Sequence, residues 1–98
     1  MQLVNVGYGN MVAVNRLLAV VSPDSSPVRR LVQEVREQKK VIDVTMGRRT
    51  RSVLIMDSGH IVLSPLSSET LAARVEQQGK QEALQAPVLE EQAARMPE

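Results

Sequence analysis

Short apolar runs separated by glycine- and proline-bearing turns make up most of the first 65 residues, and helical spacing appears in only two places. Residues 3–6, Leu-Val-Asn-Val, read as a strand closed by Gly7-Tyr8-Gly9-Asn10, a turn built from residues that tolerate positive φ. Residues 11–15 resume strand character, and residues 17–21 form a continuous apolar run stopped by Ser22-Pro23. So short and Val-rich a run predicts a buried strand. Ser26 then reads as an N-cap, with Pro27 at the first helical position, where its missing N–H costs nothing. Val28, Leu31, Val32 and Val35 follow at i, i+3, i+4, i+7, so the spacing predicts a helix over residues 26–38 with one apolar face. Lys39 and Lys40 complement the dipole at its end.

Strand character returns at residues 41–45. Met46-Gly47-Arg48-Arg49 reads as a tight connection, with residues 51–57 as the partner strand, a second turn at 57–60, and a last strand at 61–64. The expectation is one hairpin followed by another, a small antiparallel meander. Ser67 or Ser68 caps a second, short helix over residues 69–78, on which Leu71, Ala72 and Val75 make a narrow stripe. The predicted fold class is α+β: a small curved antiparallel sheet, one main helix and a short C-terminal helix. From Gln77 onward Gln, Glu and Ala dominate, so residues 1–78 are expected to form the domain and residues 79–98 a polar, mobile tail.

Composition changes this picture in one respect. Tyr8 is the only aromatic among 98 residues, and there is no cysteine. The core must be aliphatic, and disulfides are excluded. Domains of this size gain little net stability from one core, so oligomerisation is expected by elimination. Absence of cysteine suits a reducing cytoplasm. The N-terminus has no signal-peptide pattern, and the apolar runs are far shorter than the ~20 residues a membrane helix needs.

Charge is uneven. Residues 1–60 hold nine Lys/Arg and five Asp/Glu, whereas residues 61–98 hold three and six. A basic front part suggests an anionic partner. Catalysis is not expected: His60 stands alone in a turn, and one histidine without cysteine cannot hold zinc. The glycines of "GYGN" do not open a helix, so they fail as a dinucleotide fingerprint. No cofactor, metal or small-molecule substrate is expected. The arginines point elsewhere. Arg48, Arg49 and Arg51 crowd beside Gly47, and a planar guanidinium on a rigid hairpin suits phosphate. In an extended strand Arg49 and Arg51 share a face and Arg48 points the other way. Alternatively, the three pair with Asp43, Asp57 or Glu34. Arg16 has no obvious local carboxylate, and Arg29 and Arg30 oppose the dipole at a helix N-terminus, where an anion would remove the penalty. Lack of interleaved aromatics favours duplex backbone over a single-strand stacking platform; Tyr8 is the only stacking candidate and is read as a core or interface residue.

The pieces "VNVGYGNMVAVNRLLAVVSPDSSPVRRLV" and "VIDVTMGRRTRSVLIMDSGHIVLSPLSSETLAARV" closely resemble the bacterial extracellular matrix regulatory protein RemA family, over residues 3–75. The resemblance implies a cytoplasmic, nucleoid-associated DNA-binding regulator that activates biofilm-matrix genes and forms ring-shaped homo-oligomers with basic residues around the rim. It also implies that Arg16, Arg48 and Arg49 contact DNA and that Pro27 is structurally important. Met46 stands where the family often has Tyr. Repeating the arginine site around a ring would raise avidity. Structured-RNA binding by the same rim, or an adaptor role in which the arginines hold an acidic partner, are the alternatives.

Overall fold

A computed structural model describes the backbone of residues 2–84 and the side chains of residues 2–78. Within it the chain order is β1 (Leu3–Asn5), β2 (Met11–Ala13), a 3-10 turn (Val14–Arg16), β3 (Leu17–Val21), α1 (Ser26–Glu37), β4 (Val41–Asp43), β5 (Ser52–Met56), β6 (Ile61–Ser64) and α2 (Ser68–Leu84). β1 and β2 pair as an antiparallel hairpin, and the other four strands form one sheet in the order β3-β5-β6-β4.

The α+β class and both helices agree with the sequence reading, but the antiparallel meander does not. β4 runs parallel to β6, with Val41 opposite Ile61 and Asp43 opposite Leu63, and it never touches the edge of β5. The tight turn at residues 57–60 joins β5 to β6 and occupies one edge of β5, while β3 occupies the other. β4 must therefore take an outer edge, and it takes that of β6, leaving β3 as the other edge strand. The β3-α1-β4 crossover therefore has β5 and β6 slotted between its two strands, a split βαβ arrangement. The connection from β4 to β5 is consequently no hairpin. It crosses the end of β6, spanning two inter-strand spacings, about 9.5 Å.

β5 and β6 read as unbroken apolar runs because both of their faces are covered. Leu54 and Val62 face a cluster with Val4 and Val6 of the hairpin and Leu71 of α2. Val53, Ile61 and Leu63 face the opposite way, against Val28, Leu31, Val32 and Val35 of α1. The result is three layers: α1, sheet, then hairpin with α2. In β3 the register slips between Leu17 and Ala19, which leaves Leu18 bulged out of the ladder and 68% exposed.

The helix starts differ by one residue from expectation. Ser25, not Ser26, caps α1, its Oγ accepting from the Val28 N–H at 3.3 Å. Pro27 is thereby the second helical residue, where an amide would also lack an intrahelical partner. Ser67 caps α2 through the Thr70 N–H at 3.1 Å. α2 runs to Leu84 instead of stopping near residue 78. The remainder of the expected tail, residues 85–98, lies outside the described residues.

Two buried serines join the layers at one end of the sheet. Ser52 and Ser64 are cross-strand partners with no exposed surface. The Ser64 hydroxyl donates to the Val6 carbonyl at 2.7 Å and accepts from the Leu66 N–H at 3.0 Å. Ser52 donates to the Leu66 carbonyl at 2.8 Å. A dry interior makes each of these bonds costly to remove. Ser64→Ala should lower the unfolding free energy by about 1–3 kcal/mol, read as a shifted urea midpoint. An unchanged midpoint would mean the hydroxyl carries no weight at this joint.

Candidate nucleic-acid interface

The connection over residues 44–51 is an arch fixed at both feet. At the first foot, Asp43 accepts from the Thr45 N–H at 2.8 Å and from its hydroxyl at 2.6 Å. Thr45 itself is buried. At the second foot, the Arg51 N–H donates to the Ser64 carbonyl at 2.8 Å. Between them the Arg48 N–H closes a turn on the Thr45 carbonyl at 3.0 Å. Both central residues are left-handed, Met46 at φ 56° and Gly47 at φ 80°, which makes this a type I′ turn. A Cβ on Gly47 would meet nothing within 4 Å, so the backbone angle and not space calls for glycine. Met46 pays for the same angle with a side chain and stands 72% exposed at the tip.

Arg48, Arg49 and Arg51 are all exposed along this arch. Among the described residues the one ion pair is Arg16–Asp57, at 3.2 Å, so none of the three has a described carboxylate within reach. Pairing with Asp43, Asp57 or Glu34 is therefore not what holds them.

A second turn of the same type meets the arch. In the β1–β2 hairpin the Asn10 N–H bonds the Gly7 carbonyl at 2.9 Å, with Tyr8 at φ 52° and Gly9 at φ 79°. The Asn5 and Asn10 side chains brace it, each through a 2.8 Å bond to Gly7. Gly7 lies so close to Pro65 that a Cβ there would sit 2.9 Å from the proline ring. The turn is thereby held against the segment leaving β6. Tyr8, 56% exposed, consequently shares an open cleft of about 700 Å³ with Arg48, Arg49 and Arg51, floored by Pro65 and Leu66. Tyr8 is thus no core residue, and the separation of basic and aromatic residues seen along the chain disappears in the fold. The signal was available: "YG" and "MG" are the same two-residue turn chemistry.

A neighbouring cleft of about 320 Å³ is lined by Arg49 and Arg51 with Ser22, Asp24, Ser67 and Glu69. It places the starts of α1 and α2 at the arch end of the sheet. Arg29 and Arg30, in the first two turns of α1 and exposed, belong to that end. Arg29 contacts the Asp24 carbonyl at 3.5 Å. Arg16 does not belong there. It precedes β3 where Leu17 pairs with Met56, whereas the arch meets the sheet near Val21 and Val53. A strand of five residues separates them, about 17 Å at ~3.3 Å per residue. Its exposed bond to Asp57 is the ordinary surface pair of small net worth.

Residues 3–75 match the family described as Extracellular matrix regulatory protein A-like, or RemA-like, a span that includes both turns and every arginine discussed above. The chain belongs to the RemA-like family. A protein of Dictyoglomus thermophilum is 52% identical over 82 residues, covering 84% of this chain and 96% of its own. One from Synechococcus elongatus is 59% identical over 73 residues, covering 74% and 84%. One from Bacillus cytotoxicus is 52% identical over 75 residues, covering 76% and 86%. All three are named for an expected regulatory role, and none for an enzymatic one. Among the described residues of this RemA-like chain, no helix is long and apolar enough to cross a membrane.

Two outcomes test the arch. A left-handed backbone costs a side chain such as methionine about 1 kcal/mol or more, and asparagine less. Met46→Asn should therefore raise stability by roughly 0.5–1 kcal/mol, seen as a higher melting temperature. The Thr45 hydroxyl, then the Thr45 amide, hold the Asp43 carboxyl below its ordinary value; Arg36 assists and slight burial opposes. That stabilisation is complete above the unfolded value near pH ~4 and is lost as pH falls through the lowered folded value. Asp43→Asn should accordingly show a shallower loss of melting temperature below pH ~4 than wild type; identical acid profiles would remove Asp43 from the account.

Proposed function

We propose that this RemA-like protein is a DNA-binding regulator, not an enzyme, that neutralises duplex phosphates with Arg48, Arg49 and Arg51. The observation that carries the reading is the arch itself: three exposed arginines with no described carboxylate partner, on a loop braced at both feet. Holding like charges together with no described carboxylate within ion-pair reach is unfavourable until an anion arrives. Guanidinium forks on a rigid support suit phosphate oxygens. Arg29 and Arg30 add positive charge at the same end, and Pro27 shapes the start of their helix. Arg16 reaches DNA from the other end of the sheet or from an adjoining copy.

The protein works as a closed homo-oligomeric ring in the cytoplasm, on the nucleoid; its family name speaks of extracellular matrix regulation, and on this reading it activates matrix genes. Two exposed apolar side chains support self-association: Leu18 at 68% on β3 and Ile42 at 47% on β4, the two edge strands of the sheet. Several copies of the arch on one particle bind far more tightly than one. Residues 1–78 carry this activity.

A labelled long duplex titrated at several salt concentrations tests the reading, with wild type beside Arg48→Ala/Arg49→Ala and the size of both checked by light scattering. Equal size, a steep wild-type salt dependence and a slope flattened by about 2 for each protomer engaged are expected. Equal binding by the variant would make the arginines structural.

A further inference from the structure

The chain's only aromatic residue is spent in a position that does nothing for the core. Tyr8 is 56% exposed, so most of the apolar burial its ring offers is forgone. It holds φ at 52°, an angle that favours Asn or Gly over a tyrosine. The first central position of a type I′ turn is where Asn-Gly is the preferred pair, and this turn has asparagines on both sides at Asn5 and Asn10 instead. The turn is nevertheless held stiffly by four bonds among Asn5, Val6, Gly7 and Asn10, and by the close approach of Gly7 to Pro65. Residues held in such strained conformations by over-determined surroundings cluster at functional sites.

We propose that Tyr8 is an uncharged contact to DNA, its ring packing on a deoxyribose of the strand whose phosphates Arg48, Arg49 and Arg51 engage. The inference rests on the DNA-binding reading above. The cleft supplies the chemistry for it. One side carries three guanidinium groups, and the floor is the apolar pair Pro65 and Leu66. A nucleic-acid strand has the same alternation, anionic phosphates between sugars with apolar faces. Sugar and phosphate contacts set the position of a protein on a duplex, and tyrosine is among the residues that make them. Here the hairpin turn fixes the backbone that carries the tyrosine, so no loop has to be ordered on binding.

Tyr8→Asn is the informative substitution. It removes the ring and gives the turn a residue better suited to its angle, so the protein should fold at least as well as wild type. In the duplex titration the variant should bind about tenfold more weakly for each protomer engaged, the order expected for loss of one aromatic contact to a nucleotide. Its salt slope should equal that of wild type, because no cation is removed. As the only tyrosine, residue 8 labelled with 3-fluorotyrosine gives a single fluorine resonance, which should shift on addition of duplex.

Binding within twofold of wild type, with Arg48→Ala/Arg49→Ala still defective, would overturn the Tyr8 contact and leave the arginine reading standing. A wild type that ignores duplex DNA would end both. A lower unfolding midpoint for Tyr8→Asn would make the ring a structural partner of the arginines, and a changed particle size would make it a contact between copies; either result overturns the proposal.

Discussion

A β-strand has two edges, and β5 spends both. Its pairing with β3 on one side and β6 on the other decides where everything else goes. β4 is pushed outward to β6, the chain must then step back over the end of β6 to begin β5, and that step is the arch on which the arginines stand. The exposure of Arg48, Arg49 and Arg51 is thus a topological consequence. A true hairpin between adjacent strands would need only a two-residue turn and would not stretch an eight-residue connection over the sheet's end. The hydroxyls of Ser52 and Ser64 matter for the same reason. They fill the polar needs of backbone trapped beneath the arch, where water is excluded.

Much of this was legible in the chain, and the parts that were not share one cause. Periodicity in residues 26–38 located α1 to within a residue at each end, because helical spacing is a local property. Apolar runs located β3, β5 and β6 for the same reason. Which strands pair is not local. Val41 to Asp43 looks alike whether it lies beside β5 or β6, and the short spacing to β5 favoured the wrong neighbour. Ser25 displaced Ser26 as cap because adjacent serines offer the same oxygen, and only the geometry of the first turn selects between them. At the site, the arginine cluster was visible as adjacent letters. In sequence Tyr8 is a lone stacking candidate forty residues from Arg48, read as core or interface; the approach of Gly7 to Pro65 and the Ser64–Val6 bond are what bring the hairpin turn to the arch.

The two ends of the sheet differ in electrostatic character. At the arch end, cations outnumber their described partners. At the other end, Arg16 and Asp57 satisfy one another across the β3–β5 pair. That end also carries Lys40, whose ammonium lies beside the 57–60 turn. The two ends therefore differ in the kind of cation they offer: forked guanidinium groups at the arch, and an ammonium beside an already paired arginine at the other.

The two left-handed turns place Tyr8 and Met46 outside the packing of either core layer. What each turn demands of the chain is met by its neighbours: Gly9 and Gly47 in the second central positions, and Gly7 against Pro65. Side chains at 8 and 46 belong to neither core cluster, so a substitution there changes the turn and the surface while leaving the aliphatic interior as it is. The frame and the surface it presents are therefore mechanically separable, each turn acting as a fingertip on a rigid hand.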